Sequence, residues 1–166
     1  ITVFAVAYGL AQAVFGPLGD RFGKLRVITG ACLASAGAAL GCALAPGHGA
    51  LLAGRLLAGA TAAAVIPLAM AWIGDNVPYE RRQPVLARFL IGQITGFSLG
   101  VWTGGYTAEH LPWRAPFFGV AVLFVAVAAV LALARRRMAV PEPVRSAAPG
   151  GALGTVPRQF RAVLAQ

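Results

Sequence analysis

Four charged residues, Asp20, Arg21, Lys24 and Arg26, fall within the stretch GPLGDRFGKLRVI from Gly16 to Ile28, with Gly16, Gly19 and Gly23 threaded among them. A carboxylate beside cationic side chains forms charge-assisted hydrogen bonds, which are strong yet separable when an interface opens. Glycine meets the other requirement, because a backbone without Cβ atoms can be approached closely. Such a cluster suits a contact that makes and breaks; the plainer alternative is a solvated turn. A further cation, Arg55, stands alone in an apolar stretch. Covalent chemistry has no comparable candidates. An enzymatic centre needs a nucleophile, a base and an orienting group at one place. His48 and His110 lie far apart in sequence, and neither has a metal ligand at binding spacing. Cys32 and Cys42 sit about 15 Å apart along a shared helix, too far for a disulfide, and read as small apolar fillers. No catalytic residue, metal site or cofactor is expected.

The elements that hold these residues follow from hydropathy. Of 166 residues, 58% are hydrophobic and 11% charged, and mean hydropathy is +0.75. Soluble domains carry about 25% charged residues, so these charges could not cover a soluble globule. Residues 1–19, 27–54, 56–74, 89–108 and 115–134 contain no Asp, Glu, Lys or Arg. At about 1.5 Å per residue, each run can cross a hydrocarbon core of roughly 30 Å. Only helices satisfy their own backbone groups in segments this long and apolar. The expectation is an all-α membrane protein with five spanning helices visible. The link APGHG, 45–49, predicts a tight outer hairpin that carries His48. DNVPYERRQP, 75–84, predicts a turn on the opposite side, with Pro84 in the first turn of the next helix. YTAEHLPWRAP, 106–116, predicts a second outer loop, which carries His110.

The net charge of +9 is distributed by topology. Arg21, Lys24, Arg26, Arg81, Arg82, Arg88 and six arginines after residue 134 make 12 of the 14 basic residues, and all fall on one side. Arg114 is on the other side, and Arg55 is inside a span. This asymmetry places the basic loops and the tail in the cytoplasm and argues against nucleic-acid binding, which gathers charge in one patch. Trp72 and Tyr79 mark the cytoplasmic interface, and Trp102, Tyr106 and Trp113 the outer one. The chain opens on Ile inside an apolar run, without a basic leader or cleavage site, so a fragment is expected. After Arg135–Arg137, the Pro- and Gly-rich stretch reads as a flexible linker. RQFRAVLAQ then reads as a short interfacial helix or the approach to another span.

Small residues recur where helices could approach closely. Gly92, Gly96, Gly100 and Gly104 repeat every four residues on the fourth span and make a groove on one face, joined by Gly105. Gly30, Ala34, Gly37 and Gly41 do the same on the second span. Static packing and a moving interface both fit this spacing. Arg55 lies about 9 Å inside the third span, counted from Gly49. An intramembrane cation points to the bundle interior or a wet cavity, the alternative being a structural Arg tied to backbone carbonyls.

Three of these stretches together resemble signatures of the major facilitator superfamily. In GPLGDRFGKLRVI, residues Gly16, Leu18, Asp20, Arg21, Gly23, Lys24 and Ile28 fall on the positions of the loop signature G-x-L-a-D-r-x-G-r-k-x-x-l, while Gly19 and Leu25 depart from it. Leu51, Arg55, Gly59, Ala62 and Ala63 match the fourth-helix signature l-x-x-x-R-x-x-q-G-x-g-a-a, with Ala58 and Thr61 replacing Gln and Gly. GFSLGVWTGG, 96–105, is similar to the antiporter motif g-x-x-x-G-P-x-x-G-G through Gly96, Gly100, Gly104 and Gly105, with Val101 in place of Pro. The resemblance covers about residues 1–135, as the second to sixth of twelve helices. That stretch would be a six-helix bundle lacking its first helix, and 136–166 would be the central loop leading to the seventh.

The resemblance implies a proton-coupled secondary transporter, of the drug:proton antiporter branch, exporting small molecules by rocking two bundles about a central site. Gly16, Asp20, Arg21, Gly23 and Lys24, with Asp75, Arg81 and Arg82, would form a cytoplasmic latch against the other bundle. Arg55 and Gly59 would serve proton coupling or the substrate path, and the ladder Gly92, Gly96, Gly100, Gly104 and Gly105 would control leak and direction. Asp20, Asp75, Glu80, Glu109 and Glu142 all lie in loops, at span ends or in the tail, so a proton-carrying carboxylate is expected in other helices. The implied partners are the lipid bilayer, a small-molecule substrate, protons and the C-terminal bundle, with the proton gradient as energy source and no cofactor. The implied location is multi-pass in the cell membrane, as in a bacterial inner membrane. Alternatives are an importer of a sugar or metabolite and a truncated membrane protein that does not transport.

Overall fold

The computed structural model describes residues 2–137. Six helices form, α1 (Thr2–Phe22), α2 (Lys24–Ala43), α3 (His48–Ala62), α4 (Val65–Asn76), α5 (Tyr79–His110) and α6 (Ala115–Arg137), with no strand among the described residues. α3 and α4 are two parts of one apolar unit, His48–Asn76, so the six helices make five units long enough to span a membrane. This agrees with the charge-free runs. The break between α3 and α4 has a local cause. Pro67 has no N–H to offer the carbonyl of Ala63, and the Ala64 N–H turns instead to Thr61 O at 3.5 Å. Ala63 and Ala64 are fully buried, so the break is packed inside the bundle.

The connections are shorter than the sequence predicts. The stretch Gly16–Ile28 is two helix ends joined by Gly23 alone, and not a loop. Gly23 has φ +88°, a left-handed conformation that only glycine adopts without strain. The turn read over 75–84 contracts to Val77 and Pro78, and Pro84 lies in the second turn of α5, not the first. The loop read over 106–116 contracts to 111–114. His48 and His110, expected in outer loops, are the first residue of α3 and the last of α5. The reason is length. The 32 residues of α5 extend about 48 Å, well beyond a hydrocarbon core of roughly 30 Å, so helix continues where the residues become polar. Arg136 and Arg137 close α6; the rest of the linker and the interfacial segment lie outside the described residues.

α2 is the centre of the bundle, against α6, α3, α4 and α1. Its buried face is built from Ala31, Cys32, Ser35, Ala38, Ala39 and Cys42 and their neighbours. Here the reading of small residues needs correction: Gly30, Ala34, Gly37 and Gly41 are on the exposed side, one residue out of register with the packed face. Both faces carry small residues at helical spacing, so spacing alone does not tell them apart. In lipid, helices gain little from excluding water, and close packing must hold them together. It does so where Ile28, Ala31, Cys32, Ala64, Leu68 and Ala128 meet. Leu68 is 1% exposed and presses on Gly19 of α1, where any Cβ would collide with its side chain.

Candidate functional site

The end of the bundle where α1, α4 and α6 finish carries the charge cluster. The one-residue turn at Gly23 sets Lys24 at the start of α2, four residues from Asp20 on α1. The Lys24 ammonium binds Asp20 Oδ1 at 3.1 Å and also donates a hydrogen bond to Asp75 Oδ2 on the last turn of α4. Lys24 is 17% exposed at its side chain, against 71% for Asp20 and 57% for Asp75. One ammonium therefore joins the α1–α2 turn to the end of α4, with both carboxylates open to approach from outside. The cation serving Asp20 is this ammonium and not the guanidinium of Arg21, which lies over the Phe22 ring at 5.4 Å.

Arg82 has a different task. It reaches back from α5 to donate to the carbonyls of Gly74 at 2.7 Å and Val77 at 3.5 Å, closing the C-terminal end of α4. Its Nε is buried without a partner. Arg81 is exposed and pairs with neither carboxylate among the described residues. Gly16 is also exposed, with nothing near the place a Cβ would take. Of the eight residues read as a latch, the structure joins Asp20, Lys24 and Asp75 directly, with Gly23 setting their turn and Arg82 holding the helix end.

Toward the opposite end, Arg55 of α3 lies between two aromatic rings, Phe4 of α1 at 5.6 Å and Phe117 of α6 at 5.5 Å from their centroids. These are cation–π contacts on a half-buried guanidinium. The sequence places Arg55 inside a span but carries no signal that these two rings would find it. Arg55 faces a cavity of about 600 Å³, walled also by Ser35, Gly104, Trp113, Val120 and Phe124. No described carboxylate lines it. Gly59, one turn on, meets the Phe4 carbonyl so closely that a Cβ has no space. Thr61 has a definite role: it accepts from the Ser35 hydroxyl at 2.8 Å and donates to Leu57 O at 2.9 Å, tying α3 to α2 beside the helix break.

The glycines of α5 are placed otherwise. Added Cβ atoms at Gly92, Gly96, Gly100, Gly104 and Gly105 would meet nothing within 4 Å. α5 has no buried residue, and it runs unbroken through Val101. Gly104 borders the Arg55 cavity, and no described residue packs directly on any glycine of the ladder.

Comparison with known proteins bears on the whole arrangement. The sequence profile of the Major Facilitator Superfamily matches residues 1–165. A probable sphingolipid transporter, spinster homolog 2 of Arabidopsis thaliana, is 30% identical over 124 residues, covering 75% of this chain and 26% of that protein. The efflux pump vrtL of Penicillium aethiopicum is 28% identical over 130 residues, 78% of this chain and 26% of the pump. Citrate exporter 1 of Aspergillus niger is 28% identical over 151 residues, 91% of this chain and 28% of the exporter. The chain thus spans about a quarter of the length of these relatives.

Proposed function

Because the chain belongs to the major facilitator superfamily, we propose that it supplies part of one bundle of a proton-coupled exporter of small molecules, working by alternating access. The membrane location is multi-pass, consistent with five apolar helical units. The observation that carries the mechanism is the Lys24 bridge between Asp20 and Asp75. Its two carboxylates are exposed at the end that the distribution of arginines assigns to the cytoplasm. A facing bundle presenting donors there would close on Asp20 and Asp75. Reopening would break charge-assisted bonds, which are strong enough to hold a state and weak enough to release it. Gly16, Arg21 and Arg81 belong to the same surface in this reading. Arg55 and Gly59 lie on the substrate or proton path, and the open ladder of α5 is a face that slides. Export is favoured over import by the names of two relatives, an efflux pump and a citrate exporter. The proton gradient is the proposed energy source, the bilayer and the other bundle the proposed partners, and nucleic acid has no part.

The test uses inside-out vesicles carrying the full-length transporter, with ethidium, citrate and 8-anilinonaphthalene-1-sulfonate as probes. An imposed proton gradient is expected to drive accumulation of at least one probe, and an ionophore to abolish it. Asp20→Asn is expected to slow that flux several-fold with membrane insertion unchanged. Normal flux in this variant sinks the latch; probe movement only in the opposite direction makes the protein an importer.

A further inference from the structure

Resting on the transport reading above, we infer that the Arg55 cavity binds an organic anion with an aromatic or otherwise apolar body. Arg55 forms no ion pair with any described residue, and the ring faces of Phe4 and Phe117 lie against its guanidinium. Ring faces attract the delocalised charge but leave the N–H fork without oxygen acceptors. Arginine is always charged, and its fork matches a carboxylate or sulfonate in a paired, planar contact. Half-buried and without a protein acceptor among the described residues, this guanidinium is placed to take an anion. An anion entering the cavity supplies what is missing.

The walls define the rest of the ligand. Phe117, Phe124, Trp113 and Val120 give aromatic and aliphatic surface, and Gly104 leaves room opposite. About 600 Å³ falls within the range of pockets that enclose drug-sized molecules. The one hydroxyl among the described residues of the wall is already committed, since Ser35 donates to Thr61. A small, heavily hydrated anion would satisfy Arg55 but lose its water against these rings. A cation would meet Arg55 with no carboxylate to offset it. An amphipathic anion satisfies both the fork and the walls.

The experiment compares two probes that share their rings and differ in charge: 8-anilinonaphthalene-1-sulfonate and neutral N-phenyl-1-naphthylamine. Each is titrated into the full-length transporter in lipid nanodiscs, with empty nanodiscs subtracted. The sulfonate is expected to bind at one saturable site roughly 10- to 100-fold more tightly than the neutral probe, as charge-assisted bonds allow. Arg55→Gln is expected to remove that preference while leaving the neutral probe unchanged, and Arg55→Lys to keep part of it. Val120→Trp, which fills the cavity from its wall and leaves the charge in place, is expected to weaken both probes. Equal affinity of the two probes for the wild type overturns the inference, and is the result if a carboxylate from elsewhere in the protein already pairs with Arg55. A sulfonate preference that survives Arg55→Gln, or binding unaffected by Val120→Trp, also overturns it. If Arg55→Gln does not fold, Arg55→Lys and Val120→Trp decide. Binding needs no gradient, so equal affinities alongside gradient-driven flux reject this site and leave the transport reading standing. A sulfonate preference without flux does the reverse.

Discussion

Two sets of glycines in this bundle look alike in sequence and differ in what surrounds them. Gly54 and Gly59 of α3 are contact points: a Cβ on Gly54 would sit 2.6 Å from Cys42 Sγ, and one on Gly59 would strike the Phe4 carbonyl. Gly92, Gly96, Gly100 and Gly104 of α5 are spaced more regularly, yet nothing lies within 4 Å of any Cβ built there. Regular spacing shows where a backbone can be approached; it does not show that something has approached. The irregular pair is fixed structure. The regular ladder is an open face, which fits the proposal that it slides.

Substitutions can break this comparison. The largest effect is expected at Gly59→Ala, because its obstacle is a backbone carbonyl that cannot rotate away. A loss of more than about 3 kcal/mol is expected there, beyond ordinary overpacking, read as the failure of full-length protein to survive detergent extraction. Gly54→Ala is expected to cost about 1–3 kcal/mol, since the Cys42 thiol can turn aside in part, and to appear as a lowered melting temperature. Gly23→Ala adds no clash but forces a left-handed φ on an L side chain, at a cost of roughly 1–2 kcal/mol. It is expected to loosen the Lys24 bridge as well, which slowed flux at reduced stability would reveal. Gly100→Ala is expected to have the smallest effect, within about 1 kcal/mol and in the stabilising direction, as alanine favours helix over glycine. A large loss of stability at Gly100 would place it with Gly54 and Gly59 and end the contrast.

The charge cluster shows how far sequence reading reaches. Asp20 and Lys24 are four residues apart, and their pairing across the Gly23 turn is available from spacing alone. The contact between Lys24 and Asp75 is not, because 51 residues separate them and only the packing of α2 against α4 brings them together. Arg82 was legible as a cation near the latch but not as a cap on α4, since its partners are backbone carbonyls that every helix end offers. Arg55 was legible as a charge inside a span, because a single Arg in an apolar run is conspicuous. Phe4 and Phe117 were not, being two among many apolar residues on helices where most positions could face either way.

The sequence by itself determined the number of spanning units, the side on which the positive charge gathers, the place of the one intramembrane cation and the family signatures. These follow from hydropathy, charge and local spacing, which need no knowledge of neighbours. Only the tertiary structure decided which small residues are contacts, which carboxylates share Lys24 and which rings hold Arg55. In so apolar a chain nearly every helix face is chemically alike. The choice among faces is made by close packing, and packing depends on partners distant in sequence.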